Sequence, residues 1–250
     1  MKKRESVVTE FNDVDVWEER DGQIDFNVIG ATHATYHPDR LMTGHAWDAI
    51  TAAALLHPGP VRRLLMLGLG GGTVLRQLRA FLPDTEFTAV EIDGEMIRLA
   101  REYMELDRIE IRVVQADALE FLKQPTSTYD IIIDDLYRCG DQDVERPAPV
   151  DSAMLSRHQA LLEDQGSLVM NFVVGRGHHR MHRGARKAFA EHFSSIRAVR
   201  PPHSHNEVLV GTSASLPLKG PGALRKYGSL VLGDSEDQKF WKELRTLKLR

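Results

Sequence analysis

Four carboxylates stand at the ends of apolar runs, where side chains can meet a ligand. Glu91 ends Phe87-Thr-Ala-Val, Asp117 follows Val113-Val-Gln-Ala, and Asp134 with Asp135 closes Tyr129-Asp-Ile-Ile-Ile. Upstream lies Leu64-Leu-Met-Leu-Gly-Leu-Gly-Gly-Gly-Thr73, an apolar run broken by Gly68, Gly70 and Gly72 just before a helical pattern. Glycines there let the backbone approach a ligand beside a helix N-terminus, which suits a nucleotide-like molecule, although a purely structural turn has the same composition. Glu91 follows Gly68 by twenty-three residues, near the spacing of about 20 at which an acidic residue meets ribose hydroxyls. Its two oxygens can accept two hydroxyl protons at once. Asp117, at a strand-to-helix turn, can accept from an adenine amino group with the Ala118 backbone beside it. Capping is the competing role, for Glu91 and Asp93 at the helix of Gly94 and for Asp117 at its own helix. Strand alternation sends Asp134 and Asp135 to opposite sides, so one of them faces the reacting centre.

The elements that must hold these residues alternate. Strand patterns fall near 63–67, 87–91, 110–114, 130–134, 167–173 and 206–211, with a further one near 194–199; helical patterns fall near 73–82, 94–104, 117–123, 152–164 and 181–192. This predicts an α/β fold, a doubly wound and mainly parallel seven-stranded sheet that ends in an antiparallel hairpin. Three regions follow. Residues 1–60 form a small β appendage, with two strands around Arg20-Asp-Gly-Gln23, and a linking helix over 43–56 that stops at His57-Pro-Gly-Pro60. Residues 61–213 form the Rossmann-like nucleotide-binding domain. Residues 214–250 are a linker and a helix from Ser235, whose stripe of Phe240, Trp241, Leu244 and Leu247 docks on the body, or else contacts a second copy.

As a set, Gly68-x-Gly-Gly-Gly72, Val90-Glu-Ile-Asp93, Asp117 with Leu119-Glu-Phe-Leu122, and Tyr129-Asp-Ile-Ile-Ile-Asp-Asp135 resemble the spermidine synthase family of polyamine aminopropyltransferases, within the class I S-adenosylmethionine (SAM) dependent transferases. The resemblance covers about 30–215. It implies that SAM or decarboxylated SAM binds at the glycines, Glu91, Ile92, Asp117 and Ala118, and that Asp135 orients the attacking amine and helps it lose its proton. Asp134, Tyr137 and His45 stand on the acceptor side, and a homodimer is implied. Three departures bear on the reaction. Gly71 replaces an aspartate that helps exclude the carboxylate of intact SAM, and Arg138 replaces a second acidic residue after the fourth strand. His45-Ala46-Trp47 replaces the family's Tyr-His-Glu or Tyr-Gln-Glu. A polycation needs several carboxylates in place of its water, so these changes favour methyl transfer from intact SAM. A true aminopropyltransferase and a non-catalytic nucleoside-binding protein are the alternatives, and a nicotinamide dehydrogenase ranks behind them.

Composition narrows the partners. Over 250 residues the net charge is −4 and 42% of residues are hydrophobic, which fills a core and offers no general attraction to nucleic acid or anionic membrane. A single cysteine, Cys139, allows no internal disulfide. Without an apolar leader or a run of about 20 apolar residues, the chain reads as cytoplasmic, acting on a small-molecule acceptor. His178, His179 and His182 have helical metal-ligand spacing without accompanying acids; they read as a basic helix end, and no metal is expected.

Overall fold

The computed structural model describes the chain except residues 12, 29, 125–126, 141–143, 176 and 234. Four antiparallel strands come first: β1 (Lys2–Val8), β2 (Asp13–Glu18), β3 (Ile24–Val28) and β4 (Ala31–Tyr36). The expected hairpin is β2–β3, its turn closed by Glu19 N–H donating to Gln23 O at 2.8 Å. The outer pair adds to it. β1 is largely exposed and highly charged, so it carries no inward apolar stripe; it is held by ion pairs such as Lys3–Asp15 at 2.7 Å.

The linking helix is α1 (Ala46–Ala54), and after it the alternation follows the expected order with one unforeseen addition, the short pair β9 (Arg138–Cys139) and β10 (Val144–Glu145): β5 (Arg63–Leu67), α2 (Thr73–Phe81), β6 (Glu86–Glu91), α3 (Gly94–Tyr103), β7 (Ile111–Gln115), α4 (Ala118–Phe121), β8 (Tyr129–Asp134), then that pair, α5 (Ser152–Gln159), β11 (Leu162–Val173), α6 (His179–His192), β12 (Ser195–Arg200) and β13 (Asn206–Thr212). β11, β8, β5, β6 and β7 pair in parallel, and β13 and β12 complete an antiparallel edge. β5 and β8 are continuous apolar runs because helices cover both faces of the sheet. One face packs on α1, α2, α3 and the N-terminal sheet, the other on α4, α5 and α6.

The C-terminal region differs from the expectation of a linker and one long helix. Pro221–Val231 forms α7, with Pro221 in the first turn, where its missing N–H costs nothing. The helix after Ser235 is short, α8 (Asp237–Glu243), and Arg245–Lys248 is β14, which joins β12 as an eighth strand of the sheet. The apolar stripe is therefore split. Trp241 is buried, stacks on Phe81 at 5.1 Å and donates from Nε1 to Leu224 O at 2.8 Å, whereas Leu247 lies partly exposed on the strand. The Asp237 carboxylate accepts from Leu41 N–H and Met42 N–H at 2.9 and 3.1 Å, tying this region to the loop before α1.

His182 is held by Glu207, a wholly buried carboxylate on β13 that also pairs with Arg186 and Arg200 at 2.6 and 2.5 Å. Burial alone would raise the Glu207 carboxyl, but the bonds from His182, Arg186 and Arg200 outweigh it and lower it to about 2. Its contribution to stability is then complete above its ordinary value of 4.5 and is lost as the pH falls from there to about 2. Thermal melts from pH 6 to pH 3 should show the melting temperatures of wild type and Glu207→Gln converging as the pH drops.

Candidate active site

A cavity of about 540 Å³ opens at the carboxyl ends of β5, β6, β8 and β11, where an open α/β sheet takes its ligands. Gly68 is the point at which two strands converge. Asp135 N–H donates to Leu67 O at 3.0 Å, and a Cβ at Gly68 would lie 2.8 Å from Asp135 O. With φ at +82° as well, only glycine fits. Gly68 and Gly70 line the cavity. Gly72, expected at the ligand, does not: it caps α2, its N–H donates to Leu69 O at 3.0 Å, and its Cβ position faces Leu106.

Glu91 lines the cavity and also holds the glycine loop. One oxygen accepts from Leu69 N–H and Gly70 N–H at 2.9 and 3.2 Å, and the other from Ile92 N–H and Asp93 N–H at 2.9 and 3.1 Å. Burial pushes this carboxyl up, and the four amides oppose the shift. To take a ribose diol, Glu91 must exchange some of these amide bonds for hydroxyls. Asp93 turns away as the cap of α3, accepting from Glu95 N–H at 3.0 Å. Asp117 caps α4 through Leu119 N–H at 2.7 Å, the competing role foreseen for it, and is exposed on the cavity wall. Ile92, Ala118 and Leu119 supply apolar walls beside it, and Phe11 reaches the cavity from the β1–β2 loop. A carboxylate with the acceptors a diol needs, a second that could accept from an amino group, and apolar walls between them fit an adenosine moiety.

On the acceptor side the paired aspartates separate as strand alternation demands. Asp135 lines the cavity. Asp134, expected on the substrate side, points the other way and is 1% exposed; it binds Arg146 at 2.5 Å and His158 at 2.9 Å. Burial would raise its carboxyl, but the Arg146 charge and the His158 bond hold it well below the usual range. Asp135, without such an ion pair, is raised by burial; a bond from Asn171 and the charge of Arg146 only partly offset this. Tyr137 and His45 line the cavity as expected. The Tyr137 hydroxyl donates to Asn171 O at 3.1 Å, accepts from Val173 N–H at 2.9 Å, and is pushed up to about 12 by burial. His45 precedes α1, whose N-terminus is fixed by Asp48: this buried carboxylate accepts from Thr43 N–H at 3.0 Å and Gly44 N–H at 2.7 Å. Trp47 stands edge-on to His45 at 6.2 Å.

Asn171, Asn206 and Arg146 were not foreseen. Asn171 had a visible signal, being a lone amide in the apolar run Leu168-Val-Met-Asn-Phe-Val173. Arg146 had none, because only the folded loop brings it back to β8.

Residues 64–147 match the methyltransferase domain family. A probable polyamine aminopropyl transferase of Bifidobacterium longum is 32% identical over 149 residues, 58% of this chain and 31% of that protein; the match thus spans less than a third of the relative's length. A polyamine aminopropyltransferase of Neisseria meningitidis is 27% identical over 187 residues, 72% of this chain and 67% of that one. Among solved structures, a spermidine synthase in complex with the transition state analogue AdoDATO superposes with a TM-score of 0.72 at 18% identity, over 96% of this chain and 83% of that one. At that identity the superposition establishes the fold. No helix among the described residues is long and apolar enough to cross a membrane.

Glu91→Gln should weaken binding of 5′-methylthioadenosine about 10- to 100-fold, the worth of a charge-assisted bond, as read by isothermal titration. Asp134→Asn leaves the Arg146 charge buried without its counter-ion and should destabilise the fold by about 3–5 kcal/mol in urea unfolding.

Proposed function

We propose that the chain is a spermidine synthase-like SAM-type transferase, as its likeness to polyamine aminopropyltransferases suggests, and that it transfers an aminopropyl group from decarboxylated SAM to a small amine. The observation that carries this reading is Asp135, a carboxylate at the end of β8 that faces the same cavity as Glu91 and Asp117. The nitrogen lone pair of the acceptor forms a bond to the aminopropyl carbon while the carbon–sulfur bond breaks, its electron pair neutralising the sulfonium and releasing 5′-methylthioadenosine. The proton lost from nitrogen passes to Asp135 and then to solvent. A base raised toward neutrality by burial suits that task.

The names of both relatives specify aminopropyl transfer, and nothing in them supports the preference for intact SAM. Two residues behind that preference also lose force. Arg138 is neutralised by Glu145 at 2.7 Å, so the cavity mouth does not gain a bare cation there. A Cβ at Gly71 would collide with Met104 Sδ and with Ala34 Cβ. Packing thus accounts for the glycine, and its presence does not report on the donor. Methyl transfer remains the second reading, supported by the match to the methyltransferase domain family.

Incubation with putrescine and either donor separates the readings by product. 5′-Methylthioadenosine from decarboxylated SAM is expected; S-adenosylhomocysteine from the intact donor instead would favour the second. Asp135→Asn should lower turnover about 10²- to 10⁴-fold, the usual worth of a positioned base, with donor affinity kept within about threefold. A protein that only binds nucleosides would yield neither product.

A further inference from the structure

Asp135 is not held by charge alone. Asn171 Nδ2 donates to Asp135 Oδ1 at 2.9 Å, and Asn206 Nδ2 donates to Asn171 Oδ1 at 3.0 Å. The three side chains come from the residue that follows β8, from β11 and from β13, adjacent strands of the sheet, and all three line the cavity. Asn171 is 6% exposed, and its backbone carbonyl accepts from Tyr137 and from Arg146, so its position is fixed from two directions.

An amide between two partners has a polarity. With Nδ2 toward Asp135, Asn171 favours the carboxylate; turned over, it would set Oδ1 against that carboxylate and favour the protonated acid. The bond from Asn206 decides between the two by occupying Oδ1. We propose that Asn206 is a positioning residue that acts through Asn171: the Asn206–Asn171 relay holds Asp135 in its proton-accepting state, with Oδ2 left to meet the acceptor nitrogen. This rests on the reading of Asp135 as the base.

The other charges around Asp135 do not replace the relay. Arg146 attracts and Asp134 repels, and these two are paired with each other, with His158 behind Asp134. Tyr137 keeps its proton. His45, Arg138 and Glu91 stand elsewhere on the cavity wall.

The test compares Asn206→Asp, which puts an acceptor where the donor stood and should turn Asn171 over, with Asn206→Ser, which keeps a donor. In wild type and both variants, the Asp135 carboxyl is titrated by carbon-13 NMR, assigned by its loss in Asp135→Asn, and the pH profile of kcat/KM is measured. Asn206→Asp should raise the Asp135 titration and the acid limb of the profile by about one pH unit. On the acid side of that limb its kcat/KM should fall about tenfold, with KM for the donor within about twofold; Asn206→Ser should recover most of that loss. An Asp135 titration that stays at its wild-type position in Asn206→Asp, or a serine variant as impaired as the aspartate one, overturns the relay. The NMR titration needs no turnover. Wild-type protein inactive with both donors would therefore remove the proposed reaction, while the titration still decides the relay.

Discussion

The acceptor half of the molecule depends on one buried carboxylate. Asp134 stands at the last position of β8, nearly sealed from water, and holds Arg146 and His158 by its two oxygens. Arg146 arrives from the far end of the chain segment that leaves β8, and His158 from α5, so this cluster determines where the loop returns and how α5 docks. The guanidinium also lies 5.5 Å from the ring centroids of Tyr137 and Phe172, which favours a cation between aromatic faces. Two neighbouring carboxylates thus have opposite environments. The inner one is kept charged by its partners; the outer one is left at the cavity with its carboxyl raised.

The donor half is organised in a parallel manner around Glu91. Its four amide bonds join the loop after β5 to the turn after β6, so the cavity floor has its shape before any ligand enters. Preformed geometry of this kind reduces the ordering cost of binding. A ligand diol taken up by the same carboxylate would displace part of that bonding. Binding and loop structure are therefore coupled through a single side chain.

Much of this was legible in the sequence because it rests on local pattern. Apolar runs ending in acids located the strands and the cavity, and glycines located the turn between β5 and α2. The separation of Asp134 from Asp135 follows from strand alternation, although which of the two faces the ligand needed the sheet. What escaped depends on contacts distant in sequence. Arg146 reaches Asp134 only through a folded loop, and Gly72 packs against Leu106 outside the cavity lining. β1 is too charged to display a strand pattern, while α7 was hidden by Lys219-Gly-Pro-Gly222 at its start. In β14 a short segment took strand form because β12 offered it an edge, a tertiary preference that overrides helical spacing.

The packing around Gly71 couples the glycine loop to the N-terminal sheet. Met104 and Ala34 fill the space that a side chain at 71 would need, and they come from different parts of the chain, the end of α3 and β4. Met104 is a flexible thioether that can give way, whereas Ala34 Cβ belongs to a paired strand and moves only with its backbone. An acidic residue at 71 would therefore require β4 to shift, so the side chain this glycine loop can carry is limited by the small sheet beside it.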